Sequence, residues 1–304
     1  MATPAMGSED IADQYPQSTL YSKPIQVIEN VWSSIGATAP PSYENAGHNN
    51  NLSFIVTGGG VVVVNAGANH ALSKALHDEI KAVTDQPVKL VINENGQGHA
   101  MLGNNYWTEQ GIDVLAHADA AEEFEAHAGE IFEGMKRYAR EQAEGTVPTG
   151  PTLTFEDEYI IEMGDMRIEV LHLGPAHSPG DISVWLPDRK LVIAGDVAFH
   201  ERIPPIFPDT CTSCWLETWE TRFEPLGALY VIPGHGHATD MAVVRKGTHG
   251  YVSHLRKVVG EHLENGGDLA GAYYLDQTAY EHLDTFEELA TKNAGQVFVE
   301  MEFE

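Results

Sequence analysis

Four clusters of polar residues follow directly on apolar runs in the sequence, and each cluster contains a potential metal ligand. The four ligands are His99, His177, Asp196 and His235. Imidazole and carboxylate groups together suit zinc, iron or manganese. Glycine and proline around each ligand allow tight turns, and loops at strand ends commonly carry functional side chains. If the four strands share one sheet edge, these side chains converge on a single metal site.

The elements that must position these ligands show two different periods along the chain. Apolar and β-branched runs at 51–57 and 60–65 predict two strands joined by a glycine-rich hairpin. Apolar residues four apart predict an amphipathic helix over 70–84. The strand pattern restarts after a proline and glycine break at 147–151, and the last part of the chain is predicted to be helical with a short β-like run at 297–303. Two strand-rich halves with helices predict two sheets packed face to face, an α/β sandwich.

Charge and composition exclude several classes of protein. The 304 residues include 17 Lys plus Arg against 45 Asp plus Glu, which gives a formal net charge of −28. Nucleic-acid binders and polybasic membrane-surface proteins need a basic face, so neither kind of partner is predicted. A hydrophobic fraction of 42% is enough for a sizeable core. We expect an acidic, soluble protein whose partner is a small-molecule substrate.

Localisation and domain limits are predicted from the same reading. Region 1–17 has no basic segment followed by an apolar one, so no secretory signal is predicted. Two cysteines, Cys211 and Cys214, are too few for a disulfide framework; we expect two loop thiols in a cytoplasmic protein, with a redox Cys-x-x-Cys as the alternative. The predicted organisation is an N-terminal arm, a main domain and a C-terminal helical extension packed on that domain, at 1–24, 25–247 and 248–304.

The ligand clusters lie in four characteristic segments. These are the region 88–104, Ala-His-Ser-Pro-Gly-Asp at 176–181, Ile-Ala-Gly-Asp at 193–196 and Ile-Pro-Gly-His-Gly at 232–236. In this order and spacing they resemble the metallo-β-lactamase superfamily, over about 25–241 of the chain. The resemblance implies a four-layer αββα sandwich with a metal site at one sheet edge. A weaker similarity around Asn293 and 297–304 indicates the hydrolases associated with sulfur-oxidation and quinoprotein operons.

The first metal-binding loop departs from the family pattern. Where the superfamily has His-x-His-x-Asp-His, this chain has Asn95, Gln97, His99 and Ala100. Asn65 stands where the family usually carries an Asp that supports this loop. In family terms His177 belongs to the first metal site, Asp196 bridges the two sites and His235 belongs to the second. Because both first-loop ligands of the first site are absent, the resemblance implies one ion rather than two zinc ions.

These residues lead to the hypothesis of a hydrolase with an atypical, mononuclear site. The predicted ligands are His99, His177, Asp196 and His235. Zinc is the first candidate for the metal, since it lowers the pKa of a bound water. Iron or manganese is the second candidate, and a site that binds no metal is the third possibility. The water would attack an ester, lactone, thioester or activated aryl substrate. Asp196 is also the candidate proton acceptor, and Asn95 and Gln97 either orient water or substrate or fill the space of the absent ligands.

Three further residues are candidates for contact with the substrate. His48 precedes a predicted strand, and His200 follows the third ligand by four residues. Trp215 begins a set with Trp219 and Phe223 at four-residue spacing. The alternative for the histidines is a surface position, and the alternative for the aromatic set is a helix face packed on the core.

Two rival functions stay open. The five departures from the family pattern are what a loss of catalysis would leave, so the chain could be a non-catalytic or regulatory subunit of a heteromer with an intact paralogue. Two histidines with one carboxylate also suit Fe(II). Iron-dependent persulfide dioxygenases of the superfamily use a related triad, which makes a thiol or persulfide oxygenase the third hypothesis. For an active hydrolase we expect a homo-oligomer.

Overall fold

The computed structural model describes residues 14–304. The predicted N-terminal arm therefore lies outside the described residues as far as position 13. From position 14 onward the arm packs against the rest of the chain rather than lying loose. Leu20 is buried, and the Tyr21 N–H donates to His48 Nδ1 at 2.8 Å.

Within the described range the strands form two sheets. The first sheet contains Ile25–Ile28 (β1), Val31–Ser34 (β2), Leu52–Val56 (β3), Val61–Val64 (β4), Val88–Ile92 (β5), Asp113–His117 (β6) and Leu153–Phe155 (β7). The second contains Glu158–Met163 (β8), Met166–Leu171 (β9), Ser183–Leu186 (β10), Leu191–Phe199 (β11) and Tyr230–His235 (β12). The first sheet runs in chain order, with β4 to β7 parallel. The second has the order β12-β11-β10-β9-β8, and β11 and β12 are its parallel pair.

Helices cover the outer faces of both sheets. They are His70–Val83 (α1), Gly98–Met101 (α2), Asn104–Glu109 (α3), Ala118–Ala139 (α4), Thr212–Thr218 (α5), Met241–Val244 (α6), Gly250–Glu264 (α7), Leu269–Ala272 (α8) and Phe286–Met301 (α9). Short 3-10 and π turns lie at Arg140–Ala143, Pro187–Arg189, Trp219–Phe223, Glu224–Leu226, Arg245–His249 and Thr278–Tyr280. Among residues 14–304 there is no helix with the length and apolar character to cross a bilayer.

The core is divided into layers by the two sheets. Between the sheets, Ile92 and Leu115 of the first pack in one apolar cluster with Ile193 of the second. Helices α1 and α3 bury their apolar residues against the outer face of the first sheet. Helices α5, α7 and α9 do the same on the outer face of the second sheet. The predicted αββα sandwich is therefore confirmed.

Helix α1 shows how the sequence pattern produces an element. Leu72, Leu76 and Ile80 share its buried face, as their four-residue spacing requires. Asn69 caps the N-terminus, where its side chain accepts the Leu72 N–H at 2.8 Å. The sequence prediction of a helix over 70–84 is confirmed to within one residue.

The β-like run predicted at 297–303 is wrong, because α9 continues to Met301. The alternating apolar residues of this run resemble a half-buried strand. In the structure Ala294, Val297 and Phe298 are instead buried on one helix face, against the core of the second sheet. Packing at the helical spacing outweighs the local β propensity of valine and phenylalanine.

The loop thiols predicted at Cys211 and Cys214 are also a wrong expectation, because the structure joins them in a disulfide. The start of α5 brings their Cα atoms to 5.3 Å, a separation that a disulfide requires. Trp215, Trp219 and Phe223 follow and are almost fully buried. Their predicted packing on the core is confirmed.

Candidate metal centre

The candidate ligands come from both sheets. His99 lies in α2, after β5 of the first sheet, whereas Asp196 lies in β11 and His235 ends β12 of the second. His177 lies in the loop between β9 and β10. The expectation of one shared sheet edge is therefore wrong, since a strand pattern does not reveal which sheet the strand joins. The ligands meet where loops of the two sheets converge.

His99, Asp196 and His235 form a compact cluster, with one potential ligand atom from each residue within 4.8 Å of the others. His235 Nε2 is 3.2 Å from Asp196 Oδ1, and His99 Nε2 is 3.5 Å from Asp196 Oδ2. The fourth predicted ligand, His177, lies beside this cluster, with its Nδ1 3.7 Å from Asp196 Oδ2. Three of the four predicted ligands are thus brought together.

Two buried polar atoms at this place have no hydrogen-bond partner among residues 14–304. They are Asp196 Oδ1 and His177 Nε2. His235 Nε2 is within ion-pair distance of Asp196 Oδ1 but does not make a hydrogen bond to it. Unsatisfied buried polar atoms are uncommon in native proteins, and an ion is one of the things that explain them. Two imidazoles and one carboxylate are donors that a divalent transition metal accepts, so the residues fit one such ion.

The protonation states also suit metal binding. Burial alone would raise the pKa of Asp196, but the imidazoles of His235, His99 and His177 outweigh it and hold this pKa below its usual range. Burial lowers the pKa of His235 to about 4 and also lowers the pKa of His177. At neutral pH the site therefore offers an ionised carboxylate at Asp196 and neutral imidazoles at His235 and His177, which are the forms that bind metals.

Glu94 is a buried carboxyl group that the sequence reasoning did not assign to the site. Its Oε1 is 3.1 Å from His99 Nε2. Burial would lower the pKa of His99, but the carboxylates of Asp196 and Glu94 raise it. Asn65 supports this loop, because its Oδ1 accepts the Glu94 N–H at 3.1 Å. An acid directly after a buried strand, in a loop rich in Asn and Gly, was the available signal.

Asn95 and Gln97 bond to the protein's own side chains. Asn95 is buried and donates from Nδ2 to Asp196 Oδ2 at 3.1 Å and to Asp181 Oδ1 at 3.3 Å. Gln97 Nε2 lies 3.0 Å from His177 Nδ1. The side chain of Asn95 thus positions Asp196 and is not among the described lining residues of the cavity beside the cluster, and the catalytic role predicted for it stays a prediction. Asp181, a second buried carboxyl, was also missed.

A cavity of about 430 Å³ opens onto the cluster. Polar lining comes from Gln97, His99, Asp196, Arg202 and His235. Apolar walls are formed by residues that include Pro41, Leu102, Ile131, Met135, Phe207 and Leu289. A cavity with apolar walls and a few converging polar groups is the usual form of a small-molecule site.

The three predicted substrate contacts lie outside the lining of this cavity. His48 is fully buried, so the surface alternative is wrong too, and burial lowers its pKa to about 3. Trp215 is buried in the core, where its Nε1 donates to the Val197 carbonyl at 3.0 Å. His200 is partly exposed, with its Nε2 3.9 Å from Glu201 Oε1. His48 and Trp215 are thus buried away from this cavity, and His200 lies beside an acid rather than in the cavity wall; the substrate contacts predicted for the three residues stay predictions.

Replacing Glu123 with Gln is expected to stabilise the protein at alkaline pH. Burial and the nearby Asp209 raise the pKa of Glu123 to about 7, from an ordinary value of 4.5. A carboxyl group with a raised pKa costs stability once it ionises, so the cost grows as the pH rises from 4.5 and is complete above about 7. Because Glu123 is partly exposed, we expect a gain of roughly 1–2 kcal/mol near pH 8 and none near pH 4.

Urea unfolding at the two pH values measures this gain. Glu122→Gln, an exposed acid on the same helix, is the matched control and should change stability equally little at both. An equal effect of Glu123→Gln at both pH values would contradict the assignment.

An αββα sandwich with a histidine–aspartate cluster between the loops of its two sheets defines the class of this protein. A model of the family described as "Metallo-beta-lactamase superfamily" matches residues 99–246. This match confirms the resemblance to that superfamily seen in the sequence. The finer similarity to sulfur-oxidation and quinoprotein hydrolases stays a prediction.

Individual relatives match parts of the chain. It is 33% identical over 88 residues to "Acyl-coenzyme A thioesterase MBLAC2" of Bos taurus and of Homo sapiens, which covers 28% of this chain and 31% of each relative. It therefore spans about a third of the length of these thioesterases. It is 23% identical over 193 residues to "Metallo-beta-lactamase type 2" of Bacillus cereus, covering 62% of this chain and 67% of that one.

Solved structures show the same fold. A metallo-beta-lactamase from Pontibacter korlensis superposes with a TM-score of 0.57 at 20% identity, covering 73% of this chain and 94% of that chain. The DIM-1 metallo-beta-lactamase superposes with a TM-score of 0.57 at 16% identity, covering 73% and 92%. At these identities the comparison concerns the fold alone.

Proposed function

We propose that the protein is a metal-dependent hydrolase that holds one divalent ion, with zinc as the first candidate, at His99, Asp196 and His235. The observation that carries this proposal is the buried, unsatisfied Asp196 Oδ1 beside two imidazoles. A divalent ion supplies a water of lowered pKa and polarises a substrate carbonyl. A substrate in the cavity would lie directly against these groups.

Other residues hold this cluster in place. The Asn49 carbonyl bonds to His235 Nδ1 and leaves Nε2 facing the cluster, which is how proteins orient a ligating histidine. Asn95 holds the Asp196 carboxylate through its Nδ2. Glu94 Oε1 lies within hydrogen-bond distance of His99 Nε2. An ion that binds this nitrogen would therefore have to replace the contact with Glu94. Asp196 is the proposed proton acceptor.

The substrate we propose is an ester or thioester with an apolar acyl group. Two relatives are named as acyl-coenzyme A thioesterases, and the apolar side of the cavity offers a place for an acyl group. The lactone and activated aryl substrates are alternatives with the same electrophilic centre. We also propose that the hydrolase is a homo-oligomer and that it is located in the cytoplasm.

Metal analysis combined with a hydrolysis panel tests the proposal. The purified protein is treated with chelator and reloaded with Zn²⁺, Mn²⁺ or Fe²⁺, then assayed on p-nitrophenyl esters, acyl-coenzyme A, a lactone and a β-lactam. We expect about one ion per chain, a raised melting temperature on loading, and hydrolysis of an ester or thioester by the loaded protein only. Less than about 0.1 ion per chain with unchanged melting, or full activity after chelation, would contradict it.

The two rival functions give distinct outcomes in the same assays. The ligand set also suits Fe(II), and consumption of oxygen with thiols by the iron-loaded protein would favour the oxygenase. Bound metal without turnover of any substrate, together with co-purification of an active paralogue from the native source, would favour the non-catalytic subunit.

A further inference from the structure

Cys211 and Cys214 form a disulfide that takes no part in the proposed hydrolysis. They are the two cysteines of the chain, and the bond joins them at the start of α5. Both residues are partly exposed, and neither belongs to the described lining of the cavity beside the cluster. Whether the bond is structural or reactive therefore depends on the contacts around the pair.

The chain around the disulfide is held by contacts that do not involve sulfur. Before the pair, Thr210 Oγ1 donates to the His177 carbonyl at 2.7 Å. Between the two cysteines, the N–H and the hydroxyl of Thr212 donate to the Glu300 carboxylate of α9 at 2.7 and 2.5 Å. After the pair, Trp215 is almost fully buried in the core. The segment is therefore anchored on both sides of the bond, whether or not the sulfur atoms are joined.

The disulfide itself closes a very short loop. It joins residues that are three positions apart, and the stabilisation that a disulfide gives decreases as its loop becomes shorter. A bond that adds little stability to an anchored segment can open and close while the protein stays folded. Exposed disulfides are also the ones that thiols reduce readily, whereas structural disulfides resist reduction. These properties favour a reactive disulfide over a structural one.

The two sulfur atoms differ in their hydrogen bonds. The Cys214 N–H donates to Cys211 Sγ at 3.2 Å, and among the described residues no backbone N–H makes this contact with Cys214 Sγ. The donor belongs to the same turn, so it stays within reach of Cys211 when the disulfide opens. A thiolate is the reactive form of cysteine, and a hydrogen bond to a charged acceptor is stronger than one to a neutral acceptor. We therefore expect the thiolate to form preferentially at Cys211.

We propose that Cys211 and Cys214 form a redox-active site that exchanges with small-molecule thiols and disulfides, and that Cys211 is the residue that bonds the small molecule. Three observations carry this inference: a partly exposed disulfide, anchors on both sides that do not involve sulfur, and a hydrogen bond to one of the two sulfur atoms. The exchange involves no candidate metal ligand, so the inference is independent of the proposed hydrolase function.

The exchange is a two-electron reaction in two steps. In oxidation, the Cys211 thiolate attacks one sulfur of a small-molecule disulfide, and one small-molecule thiolate leaves. Cys214 loses its proton to the solvent and attacks Cys211 Sγ, so that the bond to the small molecule breaks and a second thiolate leaves. The pair loses two electrons, the small-molecule disulfide gains them, and the two thiolates take up the protons that the cysteines released. Reduction by two small-molecule thiols follows the same steps in reverse.

Graded mixtures of reduced and oxidised glutathione test the proposal on the folded, full-length protein. Thiols are trapped with a maleimide and counted by mass spectrometry. Because the chain has two cysteines, we expect both to be labelled in reducing mixtures and neither in oxidising mixtures, reversibly and without denaturant. A disulfide that stays closed until urea is added, or thiols that do not re-form the internal bond, would overturn the proposal.

Single-cysteine variants identify the reactive sulfur. With oxidised glutathione, Cys211 in the Cys214→Ser variant should form a mixed disulfide about 10-fold or more faster than Cys214 in the Cys211→Ser variant, because the backbone N–H supports the thiolate of Cys211. The variant with both cysteines replaced by serine is the control and should not react. Equal rates, or faster reaction of Cys214, would overturn the assignment of Cys211 as the bonding residue.

Melting temperatures separate a reactive disulfide from a structural one. The variant with serine at both positions should melt within about 3 °C of the unmodified protein, because the anchors of the segment do not involve sulfur. Glu300→Ala removes the carboxylate that accepts from Thr212 and should lower the melting temperature further. A larger loss in the serine variant than in Glu300→Ala would make the disulfide structural and overturn the proposal. None of these assays measures hydrolysis, so they keep their meaning if the hydrolase proposal fails.

Discussion

Replacing Asp196 with Asn should abolish both metal binding and hydrolysis. Asp196 is the central member of the cluster, since one of its oxygens faces His235 Nε2 at 3.2 Å and the other faces His99 Nε2 at 3.5 Å. Asparagine keeps the shape but removes the negative charge that a divalent ion requires. Even the hydrogen-bond partners of ligands are worth 10- to 100-fold in metal affinity, so we expect affinity to fall more than about 100-fold.

Metal content after equilibrium dialysis and single-substrate kinetics measure this effect. Asp181→Asn is the matched control, because Asp181 is equally buried and contacts the same Asn95 amide. Burial and the neighbouring Asp196 raise the pKa of Asp181, so a neutral amide imitates its protonated form and the ion should remain. Retention of the full metal content by Asp196→Asn would show that the ion, if any, is held elsewhere.

Replacing Gly234 with Ala should disrupt the same cluster from behind and destabilise the fold. A Cβ atom at this position would lie 2.4 Å from Asp196 Oδ1 and 2.9 Å from the Gly195 carbonyl oxygen. Neither atom can move freely, because Gly195 and Gly234 lie in the paired strands β11 and β12. We expect a loss of about 3 kcal/mol or more in the free energy of unfolding, as in other overpacked cores.

Urea unfolding and metal titration of the alanine variant measure both consequences. Gly129 provides the matched control: it lies within α4, and a Cβ there meets no atom within 4 Å. Gly129→Ala should gain about 0.5–1 kcal/mol from helix propensity and keep the metal. Equal stability of the two alanine variants would contradict the close packing of Gly234 on the carboxylate.

The fold and the candidate ligand cluster could be predicted because they depend on local patterns. Strand-length apolar runs followed by Gly, Pro, His and Asp predicted the two sheets and pointed to His99, Asp196 and His235, which the structure brings together. Burial confirms the helix face of Trp215, Trp219 and Phe223 in the same way. These features depend on residues that are close together in the chain, so a single sequence is enough to predict them.

The features that were missed depend on burial and three-dimensional contacts that the sequence pattern does not show. Arg202 and Glu94 are ordinary charged residues in the sequence, and only the tertiary structure shows that both are buried at the cavity or cluster. The helical ending of α9 has the same cause, since Val297 and Phe298 are held by the core of the second sheet. The disulfide between Cys211 and Cys214 depends on the turn at the start of α5.

The origin of the ligands in two different sheets has a kinetic consequence. His99 is attached to the first sheet, whereas Asp196 and His235 belong to the second. An ion bound by all three residues would therefore cross-link the two sheets of the sandwich. The ion would be released when the two sheets separate during unfolding. Stopped-flow mixing with a chromophoric chelator would measure the rate of this release, and thus the rate of sheet separation, independently of the unfolding of either sheet.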